Sequence, residues 1–302
     1  MAEKSGRTGR GASRAEQARR HTEEMERRFS AEVSRAVADT RAYDGAPSVT
    51  VEGVVPEVSV VEGDTVSAVL ERGRGLASAC DLAVLDFASF TRPGGGYDRG
   101  AWGQEQALCS ESFLFNVLSE KGGWYAENRR RNVNCELYRN RALVVPRVRF
   151  ERDSFHSYAD VIVAAAPNAR RAREEYRVSE DALLTALRDR VRMVMAIADE
   201  LGHDKLVLGA FGCGVFGWDA ATVAEAFRAE LATGAHVARE VTFAVPRGRA
   251  DENLEVFEHA LSTFPEANAA PYVTRAERAA AAAAERAAEE RDEDEDDWRK
   301  YL

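Results

Sequence analysis

Cysteine is scarce and scattered in this chain of 302 residues: Cys80, Cys109, Cys135 and Cys213 form no Cys-x-x-Cys pair. The spacing speaks against a disulfide frame and fits reduced cytosolic thiols. Histidine is equally thin. His21, His156, His203, His236 and His259 stand apart, with no His-x-x-x-His or His-Glu-x-x-His spacing, so no metal is expected. Apolar runs are short; Val161 to Pro167 is among the longest, far below the ~18 to 20 residues of a membrane span. The basic N-terminus has no apolar stretch behind it, so a secretory leader is not expected and the cytoplasm is the expected location. Basic charge is in deficit: Lys+Arg 41 against Asp+Glu 51 gives 41 − 51 = −10. That argues against unaided binding along a nucleic-acid backbone. It leaves room for an anionic ligand, which a helix N-terminus binds locally whatever the net charge. There is no internal repeat and no Gly-x-Ser-x-Gly elbow of a serine hydrolase.

What is present is an ordinary globular composition, 45% hydrophobic and 30% charged. Residues 1–12 are rich in Gly, Ser and Arg and read as a disordered N-terminus. Met25, Phe29, Val33 and Val37 then recur every four residues, one apolar stripe on a helix that docks on the domain surface. Strand segments are expected at 48–55, 58–61, 82–87, 142–145 with 148–150 (interrupted by Pro146), 161–166, 206–210 and 241–245. Helices are expected at 65–71 behind an Asp64 cap, 104–118, 179–201, 219–231 and 254–261. Continuous apolar strands alternating with helices predict a central mixed sheet covered on both faces, a three-layer α/β/α sandwich spanning 13–265. Residues 266–302 read as a helical tail of Ala, Glu and Arg ending in an acidic run, Asp292 to Asp297.

Two glycine loops carry the chemistry. The first, Pro93 to Gln106, leaves a strand and enters a helix; Gly94, Gly95 and Gly96 carry no Cβ and let a ligand's oxygens approach backbone N–H groups. The second, Gly209 to Asp219, does the same. Ligands of open α/β sheets sit at the carboxyl ends of the strands, so two such cradles suggest one ligand with a diphosphate. Gly212 to Gly217 also fits Gly-x-Gly-x-x-Gly, but no acid ends the next strand, which leaves a dinucleotide oxidoreductase as a remote alternative.

The segment LDFASFTRPGGGYDRGAWGQEQALC resembles the signature of the microbial-type poly(ADP-ribose) glycohydrolases of the macrodomain superfamily, three glycines followed after six to eight residues by Gln-Glu-Glu. Here seven residues, Tyr97 to Gly103, separate Gly96 from Gln104. VIVAAAPN, ending at Asn168, and LVLGAFGCGVFGWD, ending at Asp219, resemble two further family segments in the same order. The resemblance implies a macrodomain-like fold, ADP-ribose binding, and hydrolysis of ribose–ribose O-glycosidic bonds without metal or cofactor. It implies that Gly94, Gly95 and Gly96 line the distal-ribose and phosphate side, and that Gly212, Cys213, Gly214 and Val215 wrap the diphosphate. Phe216 would pack against the ribose, Asp86 and Ser89 would lie near the distal ribose, and Gln104 and Glu105 would contact ligand. The implied partner is ADP-ribose or its polymer on modified macromolecules, and the implied state a monomer.

One letter departs from the motif: Gln106 stands where the family keeps its general acid. A primary amide holds nearly the same shape but releases no proton near neutral pH, and general acid–base catalysis contributes ~10² to 10⁴ in rate. The implied activity is therefore impaired hydrolysis on an intact ADP-ribose pocket. The alternative is full activity with Glu105 or another acid; Asp98 and Glu111 lie nearby without motif support. Other groups have plainer readings. Cys109 reads as core, and Cys213 as a small loop residue. Tyr97, Trp102 and Trp124 either stack on ligand or pack under the loop. Arg92 and Arg99 either reach phosphate or serve solubility, and Arg129 to Arg131 are a possible contact for a polyanionic chain.

Overall fold

The computed structural model of the chain describes residues 2–249, 251–284 and 286. Seven strands form one sheet: β1 (Arg41–Asp44), β2 (Glu57–Glu62), β3 (Leu82–Phe87), β4 (Arg141–Arg152), β5 (Phe155–Ala164), β6 (Lys205–Leu208) and β7 (Glu240–Val245), in the order β1-β4-β5-β3-β6-β7-β2. β5, β3, β6, β7 and β2 run parallel, whereas β4 is antiparallel to both β5 and β1. The helices around it are α1 (Ala2–Asp39), α2 (Thr65–Arg72), α3 (Gln104–Ser110), α4 (Leu114–Ser119), α5 (Gly122–Glu127), α6 (Ala169–Tyr176), α7 (Glu180–Leu201), α8 (Ala220–Leu231) and α9 (Asn253–Leu261).

The period-2 alternation of the strands divides the core into two. Ala83, Leu85, Ile162, Leu206 and Phe243 face α6 to α9, while Leu82, Val84, Val161, Val163 and Val207 face α1 to α4. This is the three-layer α/β/α sandwich with a mixed sheet. Caps fall where their residue types predict: Asp64, Ser179 and Asp219 each accept a backbone N–H from the first turn of the helix that follows. The stripe of α1 lies against the sheet layer, with Met25 and Val33 buried and Phe29 and Val37 packed beside them.

Several elements differ from expectation. Residues 48–55 form no strand; only Val54 bridges to His236. β1 was not foreseen, because four residues with mostly exposed side chains leave no apolar pattern. The expected helix 104–118 is two helices. Ser112 interrupts it, donating Oγ to the Leu108 carbonyl and accepting from Leu114 N while its backbone bridges to Phe150. Pro146 does not end β4; it sits in a register shift between Val145 and Val148, with Arg147 at positive φ. α1 begins within the stretch read as the disordered N-terminus. Residues 275–284 are helical, and the acidic run 292–297 lies outside the described residues. Among the described residues no helix is long and apolar enough to cross a membrane.

Arg190 of α7 is fully buried and ties two distant segments together. Its guanidinium donates to the carbonyls of Ala165, Tyr138 and Arg139 and to Asn140 Oδ1. Burial pulls it down to about 10, which still leaves it charged at neutral pH.

Candidate active site

β3 and β6 are adjacent and parallel, so the chain leaves both at the same edge of the sheet. The first glycine loop follows Phe87 and the second follows Leu208. Their roots touch: the Phe87 and Phe211 rings lie 5.6 Å apart, and a Cβ on Gly209 would come within 3.0 Å of Phe87. Aromatic packing joins them further out. Phe90, just ahead of the first loop, stacks on Tyr138 at 4.5 Å, and Phe216 of the second meets Tyr138 edge-on at 6.2 Å. The two predicted cradles therefore open on one place.

The first loop is a tight turn, Pro93–Arg99, in which Gly94, Gly95 and Gly96 all take positive φ. Gly95 shows why. A Cβ there would lie 2.3 Å from Gln106 Nε2 and 2.5 Å from Glu105 Oε2. Only a glycine lets this backbone rest on the two motif side chains. Tyr97 packs beneath, edge-on to Phe115 at 5.2 Å. Helix α1 covers the loop's outer side, with Arg14 donating to the Gly100 carbonyl at 3.4 Å and its guanidinium over Trp102, which is 66% exposed.

The motif residues divide the work among themselves. Gln104 Oε1 accepts from Phe87 N at 2.8 Å, while its Nε2 donates to the Leu85 carbonyl and to Thr65 Oγ1. Both ends of that amide hold the end of β3, so Gln104 braces the strand from which the first loop departs. Glu105 is 3% exposed; its Oε2 accepts the Ser89 N–H at 2.8 Å. Gln106 is 7% exposed and donates Nε2 to the Gly94 carbonyl at 2.9 Å.

Asp86 is fully buried, and neither of its carboxylate oxygens has a hydrogen-bond partner among the described residues. Glu105 Oε1 and the Tyr125 hydroxyl are equally unpartnered. Burial holds Asp86 well above the usual carboxylate range. Glu105 is raised too, by burial first and by the Asp86 charge second, against the lowering effect of the Ser89 N–H. Burial together with these two acids also raises Cys109 and Tyr125. Each carboxyl disfavours ionisation of the other, so burial and mutual repulsion both push the pair toward its protonated forms.

In the second loop Gly212 has φ +82, and a Cβ there would strike Ala166 and Trp218 at 2.8 Å. Trp218 is locked by its indole N–H to the Pro167 carbonyl. A Cβ on Gly214 would meet nothing within 4 Å, and Val215 is 77% exposed. Cys213 and Phe216 pack partly against the core. The loop thus turns its Gly214–Val215 crest outward on a rigid base.

Tyr138, Phe90 and Tyr125 were not foreseen as site residues. Tyr138 lies in an irregular stretch where Asn134, Cys135, Glu136 and Tyr138 take positive φ without glycine, a conformation no sequence pattern announces. A polar cavity of about 710 Å³ lies along this stretch, lined by Tyr138, Asp44, Arg139, Arg141 and Asp189 among others and by none of the predicted site residues.

A family model described as microbial-type PARG, catalytic domain, matches residues 13–153. Among solved structures, the poly(ADP-ribose) glycohydrolase of Thermomonospora curvata is similar with TM-score 0.69 and 29% identity, over 82% of this chain and 98% of that one. The same protein bound to the inhibitor ADP-HPD gives TM-score 0.67 and 30% identity over the same shares. The Deinococcus radiodurans poly(ADP-ribose) glycohydrolase in complex with ADP-ribose gives 0.65 and 29%, over 76% of this chain and 97% of that one. None of the curated proteins matches the chain.

Proposed function

Because the chain belongs to the microbial-type poly(ADP-ribose) glycohydrolase family, we propose that its two glycine loops hold ADP-ribose. In this reading the amides of Gly212 to Val215 take the diphosphate, and Gly94 to Gly96 with Asp86 and Glu105 meet the distal ribose. Support comes from the shared edge of the two loops and from relatives solved with ADP-ribose and with ADP-HPD. The partner is ADP-ribose, free or at the end of a polymer on a modified macromolecule. We place the protein in the cytoplasm as a monomer.

The reaction is hydrolysis of the ribose–ribose bond. The C–O bond to the leaving ribose breaks, water adds its oxygen to the anomeric carbon, and the leaving oxygen takes a proton. We infer that this step is impaired, and Gln106 carries that inference. Its amide occupies the place of the family's general acid, bonded to the Gly94 carbonyl, and has no proton to release. A residual rate has a source in Glu105, whose buried carboxyl is held above the usual carboxylate range, which favours its protonated form. That observation supports the second reading, an active hydrolase working through Glu105.

One experiment separates them. The protein and its Gln106→Glu variant are incubated with poly(ADP-ribose), and released ADP-ribose is followed, with ADP-ribose affinity measured by calorimetry. Tight binding with slow release, raised ~10² to 10⁴-fold by Gln106→Glu, is the expected result. Equal fast release from both, lost on Glu105→Gln, makes the second reading the correct one.

A further inference from the structure

At the amino end of the sheet, opposite the glycine loops, three side chains from separate parts of the chain converge. Cys80 precedes β3, His203 precedes β6, and Asp160 lies in β5 level with Ala83 at the start of β3. Asp160 is buried, and the other two are partly buried. The thiol lies 3.8 Å from Asp160 Oδ1, and His203 Nε2 lies 3.0 Å from Asp160 Oδ2. One donor atom from each residue falls within 4.8 Å of the others.

We propose that Cys80, Asp160 and His203 form a binding site for a divalent zinc-like cation. The donor set is one sulfur, one nitrogen and one oxygen, which a borderline-soft ion accepts and which magnesium or calcium does not favour. Zinc bonds of ~2.3 Å to sulfur and ~2.0 to 2.2 Å to nitrogen and oxygen set tetrahedral donors about 3.4 to 3.6 Å apart. The present spacing brackets that figure, so small side-chain rotations close the triangle. A thiolate and a carboxylate together neutralise a doubly charged ion.

The surroundings suit an ion as well. The Arg147 N–H donates to Asp160 Oδ1 at 2.7 Å and fixes the carboxylate's orientation. The neighbouring cations are already engaged: Arg74 and Lys205 with Asp81, and Arg147 with Asp39. The triad does not favour a thiol nucleophile. Asp160 stands between the sulfur and the imidazole, whereas nucleophilic activation needs the imidazole on the sulfur. Three protein donors leave a fourth position for water. The bound ion would join the starts of β3 and β6 to the middle of β5, the strands whose carboxyl ends lead to the glycine loops and Asn168. Spacing rules in the sequence miss this site because its ligands are brought together only by parallel strand pairing.

The test uses cobalt(II) as an optical stand-in for zinc on the full chain. The expected result is one equivalent bound, with a thiolate-to-cobalt charge-transfer band that zinc displaces. Cys80→Ser abolishes the band and His203→Ala strips the tetrahedral d–d bands, while Cys135→Ser and Cys213→Ser leave both intact. Zinc also raises the melting temperature of the wild type and not of Cys80→Ser. The proposal is overturned if the wild type gives no charge-transfer band, or if the band survives Cys80→Ser and so belongs to another thiol. It is equally overturned if zinc leaves the wild-type melting temperature unchanged, which makes the cluster a hydrogen-bonded brace only. The wild-type measurements decide the matter even if a variant fails to fold.

Discussion

Gln106 hangs from the carbonyl of Gly94: its Nε2 donates there at 2.9 Å across the turn that forms the first cradle. An amide can make that bond at any pH. The glutamate of Gln106→Glu makes it only when protonated, and it stands next to Glu105 in a buried setting. Its folded pKa is therefore raised above the ~4.3 of an unfolded glutamate. A raised acid contributes its stability below the unfolded value and loses it as pH climbs through the folded value. Gln106→Glu should therefore melt close to the wild type at pH 5 and clearly below it at pH 8. Thermal melts of both proteins across that interval check this; parallel curves refute it.

Asp86 makes the same argument for the native chain. Its carboxyl is fully buried without a partner and held well above the usual range. The stability it permits is complete near pH 4 and declines as pH rises through its folded value. Asp86→Asn removes that titration, so its urea midpoint should gain on the wild type steadily from pH 5 to pH 9. Release of ADP-ribose should fall at the same time, since Glu105 loses the neighbour whose charge helps to raise its pKa.

His236 and Asp199 give a second, unrelated pH response. His236 is buried, with Nδ1 3.0 Å from Asp199 and Nε2 2.9 Å from the Glu230 carbonyl. Burial works against its charge, but the Asp199 carboxylate and that carbonyl outweigh it, so its pKa is raised from 6.5. The pair's stabilisation is present below pH 6.5 and fades as pH passes the folded value. Asp199→Ala, which also strips the Val237 N–H of its acceptor, should cost about 3 kcal/mol in urea unfolding at pH 6 and less at pH 9.

Two glycines separate fold from ligand. Gly214→Ala places its methyl in open space, so the melting temperature should be unchanged while ADP-ribose affinity falls about tenfold or more. Gly95→Ala forces a Cβ into Glu105 and Gln106 at positive φ, so both stability and affinity should fall, stability by at least about 1 kcal/mol. Calorimetry beside thermal melts distinguishes the patterns; a normal affinity in Gly214→Ala would remove the crest from the binding site.

Much of this was legible beforehand. Leu82 to Phe87 is apolar but for Asp86 and is β3 to the residue, because a strand buried on both faces shows no regular polar alternation to blur its ends. Asp64 announced α2, since capping is a local exchange between one side chain and one turn. The glycine loops were visible because only glycine meets their steric demand. The bracing of β3 by Gln104 was not legible, because its partners, Phe87 N and Leu85 O, are backbone groups that any strand carries. Ser112 ended a helix through a distant bridge to Phe150, and Tyr138 became a site wall through contacts with Phe90 and Phe216. Such long-range contacts leave no trace in local periodicity.

Arg190 holds that wall by its carbonyls: Tyr138, Arg139 and Ala165 are gripped through main-chain oxygens, and only Asn140 through its side chain. A clamp that reads backbone is indifferent to what the clamped residues are. Side chains at 138 and 139 can therefore change without loosening the clamp, so the path of the main chain there is fixed independently of the groups it displays.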